Sequence, residues 1–266
     1  MRKIALILCL IILPCVRLHS QVLSEKQPGS WVRFLQVESG FMYPGGTIKE
    51  NIAIRQNISS YYVYQSSNGY VSSYTSGFML GLRWEYFNVR LKAGISTGLR
   101  YTGYISEISG FTSSNADFFY LRYSMMNSDT KFARVKSISE TNNFISIPLE
   151  IRFIPFQYKG LGLFVKAGIE FSRFNLKKGT DIIFQDTIME INEDIILSGM
   201  GAAPNKLYST LYGSIGLKIG KEDKPNYQFE VFLPSLFLTK NNFTLSDVEY
   251  FDGFKFSVQI PIKKKN

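Results

Sequence analysis

Apolar and polar residues take turns along much of this chain, the period-2 signature of strands whose two faces meet different surroundings. From Val89 to Tyr101 the odd positions read Val89, Leu91, Ala93, Ile95, Thr97, Leu99 and Tyr101, and the even ones Arg90, Lys92, Gly94, Ser96, Gly98 and Arg100. Ile145 to Phe153 sets Ile145, Ile147, Leu149, Ile151 and Phe153 against Ser146, Pro148, Glu150 and Arg152. Leu161 to Phe171 and Gly77 to Tyr86 separate in the same way, and weaker versions cover Trp31 to Tyr43, Leu207 to Ile219, Tyr227 to Phe237 and Tyr250 to Ile262. The pattern predicts eight strands. Pro148 lacks the N–H a ladder needs, which leaves a regular strand and a bulge or distorted pairing both open there.

The connections alternate in length. Long ones run over Pro44 to Ser76, Ile105 to Asn143, Asn175 to Lys206 and Leu238 to Glu249, and short ones over Phe87–Asn88, Phe156 to Gly160 and Lys221 to Asn226. An up-and-down sheet puts all long loops at one end and all short turns at the other, as in transmembrane barrels, and tilted strands of about 9–11 residues suffice to cross a bilayer. The fold class predicted is therefore all-β, an antiparallel up-and-down transmembrane β-barrel of eight strands. Asn68-Gly69, a strong hairpin turn signal between Tyr61 and Tyr74, keeps a ten-stranded barrel as the alternative.

A soluble ligand-binding barrel would show the same alternation with its apolar face inward. The polar face here mixes glycines with charges of both signs, which suits a narrow interior where small residues make room for long ones. The residues expected to form a lumenal charge cluster are Arg83, Glu85, Arg90, Lys92, Glu150, Arg152, Lys166 and Glu170, with Arg100 on the same face. Apolar residues then face lipid, and Trp31, Tyr43, Trp84, Tyr86, Tyr101, Phe153, Phe171, Tyr227 and Tyr250 are placed to form the two interfacial girdles.

The N-terminus changes what chemistry is available. Basic Arg2 and Lys3, an apolar run from Ile4 to Val16 and a small residue at Ser20 predict a secretory signal peptide over 1–20, leaving 21–266 as one barrel domain. Both cysteines (Cys9 and Cys15) and the one histidine (His19) lie in that segment, so the mature chain would offer no thiol or imidazole for catalysis or metal binding. No catalytic, metal or cofactor residues are assigned, and an enzyme is not expected. Losing Arg2, Lys3 and Arg17 lowers the formal net charge from +9 to +6. The remaining Lys and Arg are scattered among acids, a pattern that argues against nucleic acid as a partner.

The stretch Phe144-Ile-Ser-Ile-Pro-Leu-Glu-Ile-Arg-Phe153, a short turn and Gly162-Leu-Phe-Val-Lys-Ala-Gly-Ile-Glu-Phe171 resembles the hallmark hairpin of the PorT-like outer membrane β-barrel proteins of Bacteroidota, an "IPL" strand followed by a "G...Y/F...G" strand. The resemblance implies an integral outer membrane protein, with one branch of the family acting in type IX protein secretion. It departs at the end, where such barrels usually carry a terminal aromatic and this chain reads Ile260-Pro-Ile-Lys-Lys-Lys-Asn266.

The partners expected are the lipid bilayer of the outer membrane and a protein or glycan at the extracellular loops. Tyr61, Tyr62, Tyr64, Tyr70 and Tyr74 form the candidate partner-binding loop, because tyrosine supplies rigid amphipathic area among adaptable serines and asparagines; the alternative is that this loop and the next pack together as a lid over the barrel mouth. Phe118, Phe119, Tyr120, Tyr123, Met125 and Met126 form a second cluster, which must pack on its neighbours or on a partner. Asp186, Glu190, Glu193 and Asp194 lack the spacing of a calcium loop and are expected to be solvated.

Overall fold

A computed structural model describes residues 31–49, 54–55, 71–110, 118–124, 130–199, 206–221, 224–239 and 243–262. Ten strands follow one another: β1 (Trp31–Ile48), β2 (Ile54–Arg55), β3 (Val71–Asn88), β4 (Ala93–Gly110), β5 (Phe119–Ser124), β6 (Thr130–Tyr158), β7 (Leu161–Phe184), β8 (Leu207–Ile219), β9 (Asn226–Phe237) and β10 (Ser246–Ile262). Eight of them close a ring in the order β1-β3-β4-β6-β7-β8-β9-β10, all antiparallel, with β10 returning to β1 from Arg33↔Ile262 to Ile48↔Ser246. The barrel is therefore eight-stranded. β5 takes over from β4 as the partner of β6, with Phe119 opposite Val135, and β2 lies beside β5 at Ile54↔Leu121. These two short strands extend the wall above the ring instead of widening it to ten; Asn68-Gly69 lies outside the described residues.

The strands are longer than the alternation predicts, 29 residues in β6 and 24 in β7. About 9–11 residues cross a bilayer, so both project beyond it. The upper part of β6 alternates in the opposite sense: Ile138, Val135 and Ala133 point inward and are buried, while Arg134, Lys136 and Ser139 lie on the outer face. Lipid demands apolar residues outside and water demands polar ones, so the alternation reverses where a strand leaves the membrane. The phase also slips, at a register shift between Val135 and Ser137.

The first short turn sits two residues later than the pattern suggests. Phe87 and Asn88 stay in β3, and Val89 to Lys92 make the turn. Asn88 sets the position, because its Oδ1 accepts the backbone N–H groups of Arg90 and Leu91, each at 3.0 Å. Phe87 is held in the strand by packing with Phe34, Ile154 and Phe164, an apolar floor across the short-turn end. At the next hairpin Lys159 and Gly160 both take positive φ (46° and 87°), the geometry of a two-residue primed turn.

Pro148 does not produce a bulge. It stands opposite Glu170 on the β7 side, while on the β4 side pairing stops after Thr97↔Leu149 and resumes at Arg100↔Ser146 in unchanged register. The missing N–H costs local ladder pairing and no more.

Gly168 is where the absence of a side chain makes room for the lumenal charge. It lies opposite Glu150, and a Cβ there would come within 2.7 Å of the Glu150 Cγ and 2.8 Å of the Tyr212 Cζ. At Gly213 on β8 the nearest atom would be Leu233 Cδ1 at 3.6 Å. Gly168→Ala is expected to destabilise the folded barrel by about 1–3 kcal/mol through overpacking, and Gly213→Ala to be close to neutral. Unfolding midpoints in urea and detergent, followed by gel mobility without heating, check the ranking.

Candidate functional site

The lumen of the ring is a lattice of buried charge. Among the described residues six cations (Arg83, Arg100, Arg152, Lys166, Lys218 and Lys255) and six carboxylates (Glu38, Glu85, Glu140, Glu150, Glu170 and Glu230) are buried. Glu150 on β6 is the hub. Its carboxylate pairs with Arg83, with Arg100 Nη2 at 3.2 Å, with Lys255 Nζ at 3.6 Å and with Lys166 Nζ at 3.8 Å, and it accepts the Tyr212 hydroxyl proton. Glu38 on β1 binds Arg100 Nε at 2.7 Å, Arg83 Nη1 at 2.9 Å and Lys255 Nζ at 3.1 Å. Glu230 on β9 takes Lys166, Lys255 at 3.3 Å and the Ser214 hydroxyl at 3.1 Å, and Glu170 takes Arg100.

A second group lies nearer the floor. Arg152 Nε meets Glu85 Oε1 at 2.8 Å, and Gln259 joins it by accepting from Arg152 Nη1 at 3.2 Å and donating to Glu85. The Arg152 guanidinium stands over Phe87, 4.8 Å from the ring centroid, and near Phe164 at 5.8 Å, so the floor supplies a cation–π cover. Burying unpaired charge is prohibitive, and ion pairs with added hydrogen bonds make it tolerable. The lattice thus fills the lumen and neutralises most of its charge together.

Of the residues expected in this cluster, Arg83, Glu85, Glu150, Arg152, Lys166 and Glu170 come together in the lumen. Arg90 and Lys92 do not. They lie in the Val89–Lys92 turn, Arg90 exposed and Lys92 half-buried, because the Asn88 cap moves the turn onto them. Glu38, Glu230, Lys255 and Lys218 belong to the lumen and stand on the weaker alternations of β1, β8, β9 and β10. The signal that finds them is register: Glu38 faces Gly81 and Ser257, and Lys255 faces Gly40 and Glu230, so small and long residues interleave around the ring.

Above the charge, Met42, Met79, Tyr104, Phe144, Tyr208, Phe232 and Phe251 form an aromatic layer, and Phe243 from the last loop drops into it edge-on to Tyr104. Glu140 fixes that loop by accepting Thr244 N–H at 2.8 Å and Leu245 N–H at 3.0 Å. Higher still, Phe119, Leu121 and Tyr123 pack with Ile108, Val135, Ile138, Phe184 and Ile196. The second aromatic cluster is thus partly absorbed into a core above the membrane, with Phe118 edge-on to Tyr120 and Met125 and Met126 outside the described residues.

Tyr74, on β3, is 58% exposed; Tyr61, Tyr62, Tyr64 and Tyr70 lie outside the described residues. A 3₁₀ turn (Thr187–Asn192) and a short helix, α1 (Glu193–Gly199), carry the acidic stretch, and Glu193 there accepts the Ile182 N–H at 3.0 Å.

The outer wall is apolar. Val37, Leu80, Trp84, Ile95, Leu99, Ile147, Ile151, Leu217 and Val231 all point outward and are exposed, Ile151 at 61%. Aromatics frame this band, Trp31, Tyr86, Phe156, Tyr158 and Tyr227 toward the short turns and Tyr43, Phe78, Phe171, Tyr250 and Phe254 toward the loops. Such a continuous exposed apolar belt is far beyond what a soluble surface carries and fits lipid. The arrangement is the inverse of a soluble ligand-binding barrel.

No protein-family model and no curated protein matches the sequence. Among solved structures the chain is similar to the outer membrane protein OprG from Pseudomonas aeruginosa, with a TM-score of 0.38 and 10% identity over 88% of this chain and 95% of that one. It is also similar to Outer Membrane Protein W of E. coli (TM-score 0.33, 13% identity, 90% of this chain and 100% of that one). A third is the translocator domain of the autotransporter NalP from Neisseria meningitidis (TM-score 0.33, 12% identity, 96% of each chain). These likenesses are ones of general shape, and the eight-stranded ring stands on its own pairing.

Removing the hub is expected to be costly in a way that removing outward bulk is not. Glu150→Leu leaves Arg83, Arg100, Lys166 and Lys255 short of a counter-charge and should destabilise by about 3–5 kcal/mol. Ile151→Leu, one residue on but facing lipid, should change stability by less than about 1.5 kcal/mol. Ile151→Arg should lose about 2–4 kcal/mol near the midplane. Urea midpoints in detergent or lipid vesicles give the order; E150L milder than I151L would invert the assignment of the two faces.

Proposed function

We propose that this protein is an integral outer membrane β-barrel, exported by a signal peptide cleaved after Ser20, that works without catalysis. It anchors a folded extracellular surface on which a protein or glycan partner binds. The observation that carries this reading is the pairing of an apolar exterior with a charged, filled interior in one closed ring. Such a ring is stable only where its wall meets hydrocarbon.

The extended upper strands support the second half of the reading. β6 and β7 run well past the span a bilayer needs and build their own apolar core, which is more structure than a membrane anchor alone requires. Tyr74 stands exposed on β3 at that end, and the other tyrosines of the first loop precede it in sequence. The PorT-like likeness of the β6–β7 hairpin agrees, since Gly168 of the motif is the residue that admits Glu150 to the lumen. The carboxylates of Glu38, Glu85, Glu150, Glu170 and Glu230 are paired with cations, which suits holding the barrel together.

Fractionation is expected to place the chain in the outer membrane, with a mobility on gels that changes on heating; a soluble, heat-insensitive protein would end the reading. Trypsin applied to intact cells should cut in the long-loop end, at sites such as Arg122 or Lys206, and spare Arg90, Lys92 and Lys159 in the short turns until the cells are opened. In planar bilayers the purified barrel should show no steady ion conductance, because charged and aromatic layers fill the lumen.

A further inference from the structure

An outward arginine breaks the apolar wall on β7. The cross-strand row Leu80, Tyr101, Ile145, Arg173, Leu207 runs around the outside of β3, β4, β6, β7 and β8, as their successive pairings fix. Four of these residues are apolar or aromatic and the fifth is Arg173, exposed and facing outward. Among the described residues no carboxylate pairs with it. An arginine on the lipid face costs about 2–4 kcal/mol at the midplane and about 0–1 kcal/mol near an interface. Arg173 therefore belongs at the edge of the hydrocarbon, three residues above the lumenal Glu170 and toward the loops.

The wall beneath it is hollow. A groove of about 450 Å³ is lined by Leu99, Ile145, Ile147, Phe171 and Leu207, with Arg173 among its walls. One side of it is polar, where Ser209, opposite Phe171, and Thr239 line it and the Thr239 Oγ1 accepts the Ser209 N–H at 3.2 Å. Exposed Lys206 comes just before Leu207, the ladder partner of Arg173, at the loop end of β8. The site thus has an apolar trough opening into the lipid-facing belt, hydroxyls along one side and the Arg173 guanidinium at its loop end.

We propose that this groove binds one phosphorylated glycolipid of the outer leaflet, an acyl chain lying along Leu99, Ile147 and Phe171 and a phosphate held by Arg173 with Lys206. The groove is continuous with the lipid-facing wall, so its occupant comes from the membrane. The cations at its head select an anionic lipid, and their place at the long-loop end selects the outer leaflet. The assignment rests on the reading of the chain as an outer membrane barrel with its long loops outside. Arginine suits phosphate because its planar fork can donate two hydrogen bonds at once.

Native mass spectrometry of the detergent-purified barrel tests it, with diphosphorylated lipid A, its dephosphorylated form and phosphatidylglycerol as probes. Each variant is first shown to keep its heat-dependent gel mobility, so that loss of the barrel is read separately from loss of the site. Wild type is expected to hold one diphosphorylated lipid A, and Arg173→Gln to weaken that binding about tenfold. Lys206→Gln should weaken it less, and Arg33→Gln, at the opposite end, should leave it unchanged. Undiminished binding by R173Q, an equal loss in R33Q, or equal binding of the dephosphorylated lipid would overturn the site. Equal binding of phosphatidylglycerol would overturn the assignment to the outer-leaflet glycolipid.

Discussion

Everything in this molecule follows from closing eight strands into a ring whose outside must be apolar. The backbone groups are then satisfied within the wall, and all remaining polarity has one place to go. An eight-stranded interior is only as wide as the side chains that fill it, so the lumen becomes dry and crowded. Charges placed there survive only as a mutually neutralising lattice. Balanced numbers of buried cations and carboxylates, and a Glu150 approached by four cations, are what that constraint produces.

The same constraint explains how much of the fold could be read in the sequence. Within the membrane each strand has one apolar and one polar face, and Ile145 to Arg152 shows both without ambiguity. The order of long and short connections then determines an up-and-down path. Above the membrane the outer face turns polar and the inner one apolar, as at Ile138 and Val135, and a slip in phase at the Val135/Ser137 shift blurs the period further. A search for one sense of alternation stops at that point. For that reason the long upper parts of β6 and β7, and the short β2 and β5 beside them, read as loop.

The lumenal lattice was legible in half. Arg83, Glu85, Glu150, Arg152, Lys166 and Glu170 stand on strongly alternating strands and declare their face. Arg90 and Lys92 share the parity but not the fate, because an asparagine cap two residues earlier ends the strand before them; parity says nothing about where a strand stops. Glu38, Glu230 and Lys255 lie on strands whose outer faces include Ser39, Tyr227 and Asp252, which dilutes the contrast. Their role is visible only once register sets them opposite glycines and opposite each other. The outward groove is harder still, since its residues come from four strands and one loop with no common motif.

The lattice also ties closure of the ring to its own completion. Lys255 on β10 reaches Glu38 on β1, Glu150 on β6 and Glu230 on β9, so its counter-charges come from the first, middle and penultimate strands of the ring. Until β10 pairs with β1, Glu38 lacks one of its three cations and Glu150 one of its four. Unpaired charges in hydrocarbon cost more than paired ones recover, so a half-closed barrel has every reason to keep these groups in water. The last pairing then removes the exposed strand edges and neutralises the lumen in a single step. This lattice therefore contributes cooperativity and a unique register more than net stability. A slip of β10 by one residue would turn Lys255 out toward lipid and Phe254 or Phe256 into the charged interior.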